Sequence, residues 1–349
     1  MTKVTYTSVL TSITAMNRLI LLKCNPKILN ESATSKTVFD SSFATRLQKL
    51  RAINSVCCSS QQSNNPGAPC PEISLSDIAD LGDGVWVLRG NQTILECQLL
   101  MIPSNSTLSV NANTLTNNGH ISISGTINIE GNGIINNNSS GIITNYGTFT
   151  NFDGNITNDG IIGNSGTIAS SGTITNHGTI ANDGPITNIG IITNYSHGTI
   201  NIVGPFNNNI SGTINNAGQL FSIGPITNEG TILNDVFGSI NLGVTGVNAG
   251  TITNNGIITN TGDILIGNYT TINNNSGGTI NNNTSSGNIN NYGTITNNGI
   301  VTNGGGNIDN SGSIVNNGAI YEGGVGCGGV GIITGTAIGH TVPQSGCPP

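Results

Sequence analysis

The sequence predicts an all-β chain: a single-stranded β-solenoid, taken as a right-handed β-helix with three sides and about 18–20 residues per coil. A small Cys-containing N-terminal head and a Gly-rich C-terminal cap are expected to flank it. Three observations carry this. A hexad, Gly-Thr-Ile-x-Asn-x, recurs from about Gly119 to Gly323. Of 349 residues 50 are glycine, while only 7% are charged and 4% aromatic, which is unlike a mixed α/β enzyme. Proline replaces the residue after Gly at Pro185, Pro205 and Pro225, at a constant interval that spans three Gly-headed units.

Gly, Ile and Asn occupy alternate positions of the hexad, so an extended chain turns Ile to one side and the flanking Thr residues to the other. Six residues fit no helical period. One hexad cannot bury its Ile alone, but stacked strands bury a continuous column and bond their backbones to the coils above and below. The expected core column is Ile162, Ile168, Ile174, Ile180, Ile186 and Ile192. Asn164, Asn176, Asn182, Asn188 and Asn194 are expected as corner residues, either left-handed or stacked into side-chain ladders. Gly is expected to supply positive φ at each corner.

Proline cannot donate to a strand ladder, so its return every three units argues for one repeated corner and three sides. Stretched units ending at Gly141, Gly198, Gly212 and Gly238 look like two-residue corner bulges, which fit three sides only in part and leave a flatter two-sided coil open. Residues 113–323 then make roughly 11 coils, a rod of about 50–55 Å at the usual strand spacing.

The division expected is a head at 1–90 with one short helix, the solenoid at 91–322, and a cap or assembly segment at 323–349. Residues 40–56 place Phe43, Leu47, Leu50 and Ile53 on one helical face. Residues 84–110 look like short strands leading into the repeat. The cysteines, Cys24, Cys57, Cys58, Cys70, Cys97, Cys327 and Cys347, avoid the hexads. They are candidates for disulfides that staple the caps, with free buried thiols as the alternative. No CxxC pair suggests zinc.

All nine basic residues precede residue 90, so the rest holds ten carboxylates and no cation, giving −10 against 9 − 6 = +3 for the first 90 residues. Affinity for nucleic acid rests on Lys and Arg contacts to phosphate, so a nucleic-acid partner is not expected. The run Arg18–Cys24 is too short and too flanked by charge for a secretory signal, and no apolar stretch predicts membrane insertion. Sequons such as Asn91-Gln92-Thr93 follow from the composition.

Catalysis on a solenoid needs carboxylates grouped with Arg, Lys or His, and here the acids are scattered singly. His120, His177 and His197 fall near unit ends and are expected as solvent-facing corner residues. No catalytic residue, metal ligand or cofactor site is predicted. Thr-x-Thr pairs at Thr173/Thr175, Thr251/Thr253 and Thr294/Thr296 raise an ice-binding array, but neighbouring units interrupt it. Tyr146, Tyr195, Tyr269 and Tyr292 at unit ends could stack on sugar rings.

The segment Leu99–Ile127, with Ile102-Pro103 followed by Thr107-Leu108-Ser109-Val110 and Asn-x-Gly-x-Ile units, resembles the β-helix of filamentous-haemagglutinin-type adhesins. The hexads are similar to bactofilin repeats and to Asn/Ile-rich arrays in giant-virus particle proteins. The resemblance covers roughly 90–323 and implies architecture rather than activity. Without a secretory signal, it implies a virion, or an extracellular surface reached by nonstandard export. A non-enzymatic structural protein is expected, self-associating into a homo-oligomer or filament that forms or decorates a fibre, surface layer or virion. The alternative is a carbohydrate-binding or carbohydrate-cleaving β-helix with a surface glycan as partner.

Overall fold

The computed structural model describes residues 71–243, 250–282, 284–321, 325–326 and 332–335. The predicted helix at 40–56 lies outside these residues, as do Cys24, Cys57, Cys58, Cys70, Cys327 and Cys347.

The chain winds through three sheets of thirteen, fourteen and twelve strands, here called faces A, B and C, and visits them in that order on every coil. The first coil is β1 (Glu72–Ile73), α1 (Leu75–Ile78), β2 (Ala79–Gly82), β3 (Val85–Leu88) and β4 (Gln92–Ile94). The second is β5 (Leu99–Ile102) on face A, β6 (Thr107–Ser109) on face B and β7 (Thr114–Asn117) on face C. Pairing is parallel throughout except for the β2–β3 hairpin. The fold is a three-sided β-solenoid. The three prolines follow this geometry, since Pro185, Pro205 and Pro225 all lead into or open strands of face B.

Strand register explains the sequence period. Ile143 stacks on Ile162 and Ile162 on Ile180 along face A, Ile168 on Ile186 along face B, and Ile174 on Ile192 along face C. The expected single core column is therefore three columns, one per face, converging on a shared interior. All six predicted isoleucines are buried. Each contributes about 1.5–3 kcal/mol through removal from water. Between them, Phe149 and Phe206 fill the face B column where Ile is absent.

Coil length varies more than the 18–20 residues expected. Asn158 and Asn176 lie 18 residues apart on successive coils, whereas Asn228 and Asn254 lie 26 apart. Among the described residues, additional ones go into corners. At the stretched units the last Gly donates its N–H three residues back, Gly141 to Asn138, Gly198 to Tyr195, Gly212 to Asn209 and Gly238 to Asp235, each at 2.7 Å. These are four-residue turns, and the strands after them remain in register.

Glycine's expected role is overturned. Among described glycines only Gly84, Gly90, Gly131 and Gly243 have positive φ, so left-handed backbone is not what the hexad glycine provides. Space is. A Cβ on Gly178 would collide with the carbonyl oxygen of Gly160, and one on Gly184 with that of Gly166. These corners pack the glycine directly onto the backbone of the coil below, although Ser106, Asn113 and Thr270 hold the same position before β6, β7 and the strand Thr271–Asn274.

The stack also runs past both expected boundaries. β1 and β3 already pair with the second coil, and Val325–Gly326 and Ile332–Gly335 add strands beyond residue 322. A parallel edge is completed by whatever strand follows, whether or not it carries the hexad. At the N-terminal end, Leu75 and Ile78 of α1 are buried against the core. This helix, too short to show a period, was not anticipated. The Asp77 carboxylate accepts from the Ser74 hydroxyl at 2.7 Å and the Ser74 N–H at 2.8 Å, bonds that hold its pKa below the usual value.

Candidate functional site

The corner asparagines point inward, into the interior. On face C, Asn117, Asn137, Asn158, Asn176, Asn194, Asn216, Asn234, Asn260, Asn282 and Asn303 form an unbroken column in which each Nδ2 donates to the next Oδ1 at 2.7–2.9 Å. The second proton of each amide goes to backbone carbonyls. Asn176 Nδ2, for example, also donates to Gly178 O at 3.1 Å and Thr199 O at 3.2 Å. Because carbonyls surround one end of the amide, that end must be the nitrogen, and every amide in the column points the same way.

The backbone of these residues closes the corner. The carbonyl of Asn158 accepts from both His177 N and Gly178 N, and that of Asn145 from Ser165 N and Gly166 N. The polar corner of an otherwise apolar interior is thus satisfied twice over. Of the predicted ladder residues, Asn176 and Asn194 belong to face C, Asn164 and Asn182 to face A, and Asn188 to face B.

Uniform direction fixes where a ladder must fail. Its N-terminal end leaves an oxygen without an amide donor and its C-terminal end a nitrogen without an amide acceptor, although at Asn145 and Asn291 the N–H of Gly147 and Gly293 bonds the oxygen instead. The buried side-chain amide atoms lacking a partner are Oδ1 of Asn117, Asn151 and Asn188, and Nδ2 of Asn182. Asn117 lies above Ile94, Asn151 above Ile129 and Asn188 above Ser170, each a ladder start. Asn182 lies below Ile202, a ladder end.

On the outside, chemistry is segregated. From the second coil onward the outward strand residues of faces B and C carry no charge among the described residues, whereas Asp80 of β2 is an exposed carboxylate on face B in the first coil. Glu130, Asp153, Asp159, Asp183, Glu229 and Asp235 sit at corners, and Asp263 and Asp309 on face A. The three Thr-x-Thr pairs do not form one array, because Thr173/Thr175 lie on face C and the other two pairs on face B.

One corner brings side chains of different kinds together. Asp159, His177 and Tyr195 each follow a ladder asparagine of face C on successive coils. His177 Nδ1 lies 3.0 Å from Asp159 Oδ1, and its ring stacks on Tyr195 with centroids 4.5 Å apart and planes 21° from parallel. The group is a solvent-facing carboxylate, imidazole and phenol in a row. Its sequence signal was the coil interval itself: 177 − 159 and 195 − 177 both equal the 18-residue separation of the asparagines before them.

His120 departs from expectation. It is a strand residue of β8 (His120–Ile123), is 5% exposed, and its Nε2 lies 3.0 Å from Thr144 Oγ1. In the unit Gly119-His120-Ile121 it holds the place usually taken by Thr, which puts it on a strand instead of a corner. His197 is exposed in a turn. Tyr269 and Tyr292 occupy the corner between faces A and B on adjacent coils, 76% and 50% exposed, and Tyr146 lies at the same corner further back. Tyr195 is on a different corner.

Cys97 is buried and free. Burial, and secondarily the charge of Glu96, pushes its thiol pKa up. Near the N-terminal end Arg89 donates to Asp80 Oδ1 from both Nε and Nη2, at 2.9 and 2.6 Å, and holds that exposed carboxylate below its ordinary pKa. Among the described residues no group of His, Cys, Asp and Glu could hold a metal ion, and no helix is long and apolar enough to cross a membrane. The interior hollow between Phe149 and Phe206 is apolar and of water size, with nothing polar to orient a ligand.

No protein-family model matches the chain, and no curated protein matches it. Among solved structures it is similar to a TibC-catalysed hyper-glycosylated fragment of TibA, residues 55–350, at 18% identity, with 77% of this chain and 98% of that one covered and a TM-score of 0.25. At that score no property of TibA is carried over to this chain.

Proposed function

We propose that the chain is a non-enzymatic structural rod that forms or decorates a fibre, surface layer or virion, and that it works at a virion or extracellular surface. The observation that carries this reading is the division of chemistry between inside and outside. Interior polarity goes into amide ladders that hold coil to coil, and beyond the first coil two of the three faces present uncharged Thr, Asn, Ser, Ile and Pro in regular rows. Such rows suit lateral or end-to-end contact with further copies of the chain, since exposed β-structure without charge is what invites association. Self-association into a homo-oligomer or filament follows, with disulfides among the terminal cysteines as a means of locking it. Negative-stain microscopy of the full-length protein, with and without reductant, tests the reading. Filaments or ordered bundles are expected, and rods that stay monomeric at high concentration count against it.

The second reading is a carbohydrate-binding rod. Tyr269 and Tyr292, exposed on adjacent coils of one corner, favour it, because successive aromatic rings along an axis match successive sugar rings. Glycan-array binding that disappears in a Tyr269→Ala/Tyr292→Ala variant would establish it in place of assembly.

A further inference from the structure

Two of the four-residue turns stand on the corner between faces C and A with one coil between them. Tyr195–Gly198 and Asp235–Gly238 each close with the glycine N–H donating to the carbonyl of the turn's first residue at 2.7 Å. The coil between them turns the same corner with only Ala217 and Gly218, after Asn216 of the face C ladder. The longer turns therefore project on both sides of a notch whose floor is Ala217. Successive coils lie about 4.8 Å apart, so the two walls are about 9.6 Å apart, which leaves room for one ring between them.

The first wall is aromatic. The Tyr195 ring stacks on His177 at 4.5 Å, close to the coil spacing, so the stack runs along the rod and the other face of the ring looks over Ala217. Even with one side covered, Tyr195 is 46% exposed. The second wall is mixed. Val236 and Phe237 are 47% and 77% exposed, and the Asp235 carboxylate is held by the N–H of Val236, which donates to Oδ1 at 2.7 Å. Polar groups continue at both ends of the notch, with the outward Asn215 on the face C side and the exposed Gln219 on the face A side.

We propose that the notch binds a neutral pyranose ring, part of a glycan chain that crosses the corner between Asn215 and Gln219. A pyranose carries C–H groups on its face and hydroxyls around its rim. The face matches Tyr195, and the hydroxyls donate to the Asp235 carboxylate. An acidic sugar is disfavoured, because its charge would lie beside Asp235 and no Lys or Arg follows Arg89 to offset it. An aromatic ligand would use the Tyr195 face but none of the polar rim. This inference requires neither fibre assembly nor Tyr269 and Tyr292, which stand on another corner.

The test is an array of neutral and acidic glycans probed with the full-length protein, followed by titration of the neutral glycans that bind, read by saturation-transfer NMR and calorimetry. Binding of at least one neutral glycan is expected, with its ring C–H protons saturated from the protein. Tyr195→Ala, which removes the platform, and Ala217→Phe, which fills the notch, should each weaken it at least tenfold, whereas Tyr292→Ala should leave it unchanged. Deuterium protection of the amides around Ile214 and Ile232 should be the same in all three variants, showing the rod intact. An array without binding, a preference for acidic glycans, or binding indifferent to Ala217→Phe would overturn the proposal. Self-association that Ala217→Phe abolishes in the absence of glycan would also overturn it, by making Phe237 of a second copy the occupant.

Discussion

Faces A and C occupy equivalent positions in the same coils, yet their polar ladders differ. On face C the asparagine column runs unbroken from Asn117 to Asn303. On face A it runs from Asn145 through Asn164 to Asn182, gives way to Ile202, Ser222, Leu242 and Ile266, and resumes at Asn291 and Asn310. The position therefore accepts either an amide or an aliphatic side chain. A lone buried amide would cost free energy, but one with neighbours above and below is fully bonded. What the sequence must respect is continuity: a boundary between amide and hydrocarbon removes one inter-amide bond, which leaves Asn182 Nδ2 unsatisfied, while Asn145 and Asn291 turn to the N–H groups of Gly147 and Gly293.

Four substitutions break or sharpen this contrast. The largest effect belongs to the apolar columns, which both faces share. Ile174→Asp on face C should cost more than about 3 kcal/mol by burying an unpaired charge, and Ile180→Asp on face A should cost as much. Denaturant melts of both variants check this, and an unshifted midpoint would contradict the placement of these residues. An intermediate effect is expected at mid-ladder. Asn176→Leu removes the donor to Asn194 Oδ1, leaving that oxygen orphaned, and should cost about 1–3 kcal/mol. The smallest belongs to a ladder end. Asn182→Leu removes the acceptor of Asn164 Nδ2 but no donated bond, since its own nitrogen lacks a partner, so it should cost less than Asn176→Leu, about 1 kcal/mol. Because stacked repeats can open locally, deuterium exchange in the affected coils is the better measure of these two. Equal losses at Asn176 and Asn182 would mean that ladder continuity carries no energy.

Much of this was legible in the sequence. The alternation of Gly, Ile and Asn predicts Ile on the inner side and Asn at the corners, with side-chain ladders as one of its two expected roles, and Pro185, Pro205 and Pro225 predict the third side. Ladder direction was not legible, because it depends on which end of each amide meets the carbonyls of the following coil. Glycine's role was misassigned because a positive φ and a close backbone approach select the same residue, and only the stacked coils distinguish them. His120 was misplaced because it was weighed as a lone histidine, when its place after Gly119 already put it in a strand. The row of Asp159, His177 and Tyr195 needed the local coil length, which insertions elsewhere obscure. α1 is held by burial of Leu75 and Ile78 at the end of the core, a tertiary cause that no short pattern announces.

The four-residue turns that take up additional residues at the corners have a consequence for evolution and design. Lengthening a corner adds chain without adding height, since the rise belongs to the strands, at about 4.8 Å for each full circuit. The molecule is thus a ruler graduated in circuits: whole repeats gained or lost would reset its reach in fixed steps, while insertions between strands would change only what protrudes from its sides.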